Sequence, residues 1–146
     1  MARNTIRIDV PIQHVYDELL IPDNFGDWVV GAKRVRGTSG NWPSEGAEFH
    51  HTVGLGPMKI NDSTRIESMH PPDHLVLDAR AWPIGDARVE LTLVPDGDAS
   101  TQVIMVEEVV GGPAKLIPKS INERMIHVRN RQSLRRLRRL IVRHRS

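Results

Sequence analysis

The chain has 146 residues with the composition of an ordinary globular protein and no cysteine, which excludes a disulfide framework, a thiolate metal site and a cysteine nucleophile. Its formal net charge of +2 conceals a split: residues 113–146 carry eleven Lys/Arg against one acid, Glu123, whereas the 112 residues before them carry nine against seventeen acids. No run approaches the ~18 apolar residues that span a bilayer, and the closely spaced charges Arg3, Arg7 and Asp9 leave no apolar core for a signal peptide, so a cytoplasmic location is expected.

Residues 5–10 alternate polar and apolar (Ile6, Ile8, Val10), the period of a half-buried strand, which Pro11 ends. Ile12, Val15, Tyr16, Leu19 and Leu20 then share one face of a short helix; Pro22 breaks it, and residues 23–28 predict a second short helix. From Val30 to Val110 the period is almost entirely two. Phe49, His51 and Val53 share a parity with Ala47, and Asp62, Thr64 and Ile66 share one with Ile60. Leu75, Leu77 and Ala79 follow, then Ala87, Val89, Leu91 and Leu93, then Val103, Met105 and Glu107. Turn signals at Gly54-Leu55-Gly56-Pro57, Pro71-Pro72-Asp73, Pro83-Ile84-Gly85-Asp86 and Pro95-Asp96-Gly97-Asp98 separate these runs. Short turns between alternating runs predict an antiparallel meander with one buried and one wet face. A β-bulge near Asn61-Asp62 would turn that segment outward, so the parity there stays open.

Gly111-Gly112-Pro113 closes the sheet region. Ser120-Ile121-Asn122-Glu123 matches a capping box, and Pro118 places the start of a long helix near itself, with an end at about Arg143. Such a helix is roughly 36 Å long at 1.5 Å per residue, enough to cross a sheet. Its apolar residues form two stripes. Ile126, Leu134, Leu137, Leu140 and Ile141 make one, while Ile121, Met125 and Val128 make another confined to the first half. One stripe suffices for a surface helix; the second predicts that the first half is covered on more than one side or faces something apolar other than its sheet.

The stretch Thr101-Gln102-Val103-Ile104-Met105-Val106-Glu107, then Gly112-Pro113, then Arg129-Asn130-Arg131-Gln132-Ser133-Leu134-Arg135-Arg136-Leu137 resembles the START-like (SRPBCC) superfamily. Within it the chain resembles in particular bacterial polyketide cyclase/dehydrase-like proteins, and the opening Ile8-Asp9-Val10-Pro11 with Val15 and Trp28 is similar to the family's entry pattern. The resemblance covers the whole chain, 1–146, as one domain. It implies an α+β helix-grip fold: a curved antiparallel sheet of about seven strands, in the order β-α-α-β6-α, wrapped around a long C-terminal helix at about 118–143. Members hold lipids, sterols, polyketides or other apolar molecules between sheet and helix, and some catalyse cyclisation, aromatisation or hydrolysis there. The family has no universal triad, so only the pocket's place carries over, onto inward strand residues and the first half of the helix. The expected ligand-binding set is then Trp28, Phe49, His51, Thr64, Leu77, Leu91, Met105, Ile121, Met125 and Val128.

Three residues are candidate acid–base groups. Glu107 shares the inward parity of Met105; burial there would raise its pKa and suit it to proton transfer, whereas pairing with an arginine such as Arg129 would make it structural. His51, between Phe49 and Val53, is either a proton relay or a satisfied core imidazole. An inward Asp62 would be functional or paired, since an isolated buried charge is expensive. Trp28, beyond the short helices, is expected at the pocket entrance, while Trp42 and Trp82 are expected to complete a core poor in aromatics. The seven histidines show no HExxH or similar spacing, and no GxSxG, P-loop or GxGxxG occurs, so neither metal nor cofactor is implied.

The first functional reading is therefore a binder of an apolar or aromatic small molecule. The second is an enzyme of the cyclase/aromatase type that positions a substrate against an acid or base. A third, attraction of nucleic acid or an anionic surface by the helix arginines, is disfavoured for nucleic acid because no aromatic residue follows Trp82 to stack on bases. The arginines are expected to form the solvated back of a pocket lid. A monomer or a homodimer is expected.

Overall fold

The computed structural model describes residues 1–29, 32–55, 58–81 and 85–144, with side chains outside 32–36, 53–55, 58–61 and 81. Trp82 and the tip of the 54–57 turn lie outside the described residues. Seven strands are described: β1 (Ala2–Ile8), β2 (Ala32–Ser39), β3 (Glu48–Leu55), β4 (Met58–His70), β5 (His74–Ala81), β6 (Gly85–Pro95) and β7 (Thr101–Gly111). They form one curved antiparallel sheet in the order β1-β7-β6-β5-β4-β3-β2. Helices α1 (Ile12–Leu19) and α2 (Phe25–Trp28) connect β1 to β2, and α3 (Lys119–Arg143) follows the sheet. This is the helix-grip arrangement implied by the order of the elements.

Side-chain alternation fixes which face is buried. Phe49 and His51 on β3, Asp62, Thr64 and Ile66 on β4, and Val103, Met105 and Glu107 on β7 all point inward. Register brings inward residues opposite one another: His51 faces Asp62, Phe49 faces Thr64, and Val89 faces Glu107. The β3–β4 register runs unbroken through Asn61 and Asp62, so no bulge turns Asp62 outward. The extra residue lies further on, between Ile66 and Ser68, and after it Met69 rather than Ser68 packs against the core.

The two halves of α3 have different surroundings. In the second half Leu134, Leu137, Leu140 and Ile141 are buried among Ile8, Val15, Leu19 and Trp28. Each such side chain contributes about 2 kcal/mol by leaving water, so this half anchors the helix, and Leu137→Ala would cost about 2–5 kcal/mol by leaving a cavity under it. Tyr16 donates its hydroxyl to the carbonyl of His74 at 2.9 Å, tying α1 to β5. Thr101, fully buried, donates to the carbonyl of Val10 at 2.8 Å and fixes the corner after β1.

The expected capping box does not form. Pro118 is the N-cap, with no side-chain cap hydrogen bond. Glu123 instead engages the Met1 amino group and lies 3.9 Å from Lys119 Nζ, while Asn122 donates to the carbonyl of Ala114 at 2.8 Å. That bond ties a 3-10 turn, Pro113–Leu116, to the start of α3. No helix among the described residues is long and apolar enough to cross a membrane.

Candidate ligand cavity

Between the sheet and the first half of α3 lies a cavity of ≈ 460 Å³, a volume that suits a small-molecule ligand. The sheet wall carries Leu77, Val89, Leu91 and Met105; α2 contributes Phe25 and Trp28; the helix contributes Met125, Ile126, Arg129, Asn130 and Ser133. Ala79 and Ala87 face each other across β5 and β6, and both line the cavity. Two small inward residues at one register position leave room that larger ones would fill.

Besides Asp86 and Asn122, two clusters of hydrogen-bonded polar groups enter this mostly apolar lining. On β3 and β4, His51 Nε2 lies 3.2 Å from Thr64 Oγ1 and 3.7 Å from Asp62 Oδ2. The imidazole stacks on Phe49 (centroids 5.0 Å apart, planes at 28°), which holds the ring's plane. Asp62 also accepts from the Ser63 amide at 2.7 Å. Burial pushes the Asp62 carboxyl up to about 7, with Asp86 adding to the rise; the amides of Ser63 and Arg80 and the charge of Arg129 oppose it.

The second polar group joins β7 to α3. Arg129 Nη2 donates to both carboxylate oxygens of Glu107, at 2.7 and 2.6 Å. Asn130 Nδ2 donates to Glu107 at 3.2 Å, and Asn130 Oδ1 accepts from Arg129 Nε and Nη2 at 3.3 and 3.2 Å. Glu107 and Asn130 are buried, while the arginine side chain remains 41% exposed. A buried carboxylate without such partners would be strongly destabilising. Among the described residues Arg129 is the one arginine of α3 in an ion pair.

Most of the residues expected around a ligand line this cavity: Trp28, His51, Thr64, Leu77, Leu91, Met105 and Met125. Asp62 and Glu107 line it as well. Phe49 does not; it lies fully buried behind His51, packed on Phe25 and on the edge of Trp42. Ile121 and Val128 are corrected outright: they are 50% and 58% exposed and point away from the cavity. At 100° per residue they lie roughly 110° or more from the middle of the cavity-facing arc. Unexpected contributors are Phe25, Asp86, Asn130, Ser133 and the Ala79–Ala87 pair. The signal for the last three was available as small or polar residues on an otherwise apolar inward face. Among the described residues no cluster of three or more His, Asp or Glu could hold a metal.

A curved antiparallel sheet closed by α3 over an apolar cavity is the helix-grip arrangement of the START-like class. The chain belongs to the polyketide cyclase / dehydrase and lipid transport family, whose model matches residues 2–142. Similar solved structures include a conserved protein from Geobacillus kaustophilus (TM-score 0.72, 18% identity, 99% of this chain and 96% of that one). A protein from Chromobacterium violaceum is similar at TM-score 0.70 and 19% identity, over 95% and 94% of the two chains. The Zhui aromatase/cyclase from Streptomyces sp. R1128 is similar at TM-score 0.74 and 12% identity, over 97% and 93%. At these identities the likeness establishes the fold. Among curated proteins none matches this chain.

Proposed function

We propose that the chain binds an apolar or aromatic small molecule in the cavity between its sheet and α3. The carrying observation is the ≈ 460 Å³ cavity, whose lining is predominantly apolar with two localised polar groups. Apolar walls favour the body of a ligand and a few fixed polar groups orient it. Arg129 is pre-positioned for this: Glu107 and Asn130 hold its Nε and Nη2, so its guanidinium is presented at the wall with little freedom left to lose. The family description, lipid transport beside cyclase and dehydrase, agrees with such a ligand. The test is mass spectrometry of small molecules released by denaturing natively purified protein. A consistent apolar or aromatic compound is expected; protein that releases none and takes up none of a panel of apolar probes would overturn the proposal.

A second reading, acid–base catalysis on the bound molecule, is favoured by one observation. Asp62 has its pKa pushed up to about 7 and sits in the cavity wall beside His51. A carboxyl poised near neutrality both gives and takes a proton at working pH. Glu107 suits this role less well, because its ion pair with Arg129 makes it a positioning group. Once a reactive substrate is found, Asp62→Asn should abolish turnover with binding retained, and unchanged turnover would remove Asp62 from the chemistry.

A further inference from the structure

We propose that the outward face of the first half of α3, together with the turn before it, docks on an anionic lipid bilayer. This goes beyond the cavity's ligand: the docking face and the cavity lining are different surfaces, and each can fail without the other.

The observation is the position of the chain's exposed apolar side chains. Leu116 is 88% exposed, Met125 61%, Val128 58%, Ile121 50% and Ile117 38%. These five lie within thirteen residues, on the 3-10 turn and the first turns of α3. At 100° per residue Ile121, Met125 and Val128 fall within about 60° of arc, so they form one face rather than a scatter. An exposed apolar cluster of this kind marks a surface that something covers.

Charge identifies what covers it. Lys115 is exposed on the turn, and Arg124, Arg131 and Arg135 are exposed on the same side of the helix as Ile121 and Val128. The one acid of the segment, Glu123, is engaged by the Met1 amino group and Lys119. A second copy of the chain fits poorly, because a two-fold contact would set this cationic face against itself. Apolar side chains bordered by Lys and Arg are what an interfacial helix presents to acyl chains and anionic headgroups. Ile117 and Met125 are exposed and also line the cavity. The docked face would therefore open the cavity toward the acyl region, giving an apolar ligand a path that avoids water.

The experiment is co-sedimentation of the full chain with vesicles of equal parts phosphatidylglycerol and phosphatidylcholine, and with phosphatidylcholine alone. Binding to the anionic vesicles is expected, weakened by added salt. The exposed triple variant Leu116→Ser/Ile121→Ser/Val128→Ser touches no cavity-lining residue and should lose at least about tenfold in vesicle affinity. Lys115→Glu/Arg124→Glu should weaken binding independently of that variant. No binding to anionic vesicles at low salt overturns the proposal, as does triple-variant binding equal to wild type. A dimer seen by light scattering that the triple substitution splits would overturn it too, by assigning the face to self-association. Vesicle binding with an empty cavity would leave the docking proposal standing and the cavity-ligand reading refuted.

Discussion

Arg129 Nη2 lies 2.6 and 2.7 Å from the two oxygens of Glu107, so a single guanidinium nitrogen ties the middle of α3 to β7. This bond lies at the cavity wall and joins the bond from Asn4 to the carbonyl of His127 in holding the first half of α3 to the sheet. Removing the arginine leaves a buried carboxylate with only Asn130 beside it. Arg129→Met should therefore lower unfolding free energy by about 2–3 kcal/mol, the upper part of the range being reduced by the arginine's partial exposure. Glu107→Gln should be milder, since an amide oxygen still accepts from Arg129. Denaturant unfolding of both single variants and the double variant would show the coupling; additive effects would contradict a direct pair.

Asp62 gives a pH signature. Its folded-state pKa, about 7, is above the ordinary aspartate value of 3.8. The folded protein therefore holds this proton more tightly than the unfolded chain, and the stability it lends at low pH is lost as pH rises toward 7. Asp62→Asn cannot ionise. Relative to wild type, the variant should gain stability progressively between about pH 4 and pH 7, reaching about 4 kcal/mol and staying level above that. Thermal melts across this pH range would check it, and a difference independent of pH would show that Asp62 is not protonated by burial.

The fold was legible because period-two alternation is a direct imprint of the pleat. Phe49 and His51, and Met105 and Glu107, sit on the predicted side, and Asp62 and Thr64, whose parity the sequence left open, point inward too. What was not legible depends on partners distant in sequence. The Ser120–Glu123 capping box is a local pattern, overridden when Pro118 became the cap and Glu123 met Met1. The bulge between Ile66 and Ser68 leaves no glycine or proline to mark it. The second apolar stripe was expected to be covered on more than one side or to face something apolar other than the sheet, and only Met125 of the three reaches the cavity. Periodicity alone does not say whether such a stripe meets a cavity or solvent, and Met125 meets both while Ile121 and Val128 meet only solvent.

Cavity volume should control ligand uptake separately from stability. Ala79 and Ala87 are opposed on adjacent strands with both side chains at the cavity wall. Ala79→Phe would project a ring into existing space and so avoid the overpacking that a filled core imposes. The variant should fold with a stability within about 1 kcal/mol of wild type and lose uptake of Nile red, a neutral polarity-sensitive dye. Dye fluorescence titration would measure it; unchanged uptake would place the dye outside this cavity.

Gly85 controls the cavity mouth from the other side. A Cβ at this position would lie 2.7 Å from the carbonyl oxygen of Gly111 and 3.1 Å from the Cβ of Ala114. The first of these is backbone, which has no rotamer with which to retreat, and the second belongs to the turn that Asn122 ties to α3. Gly85→Ala must then push the Pro113–Leu116 turn outward or part the β6–β7 pairing at Asp86 and Gly111. Either shift should lower stability by about 1–3 kcal/mol. Because Gly85, Ala114 and Ile117 all line the cavity, displacement of the turn should also speed ligand release severalfold. Stopped-flow displacement of bound Nile red would read the release rate. A slower melt-independent release, or none of the expected loss in stability, would show that the turn yields without strain and does not guard the cavity.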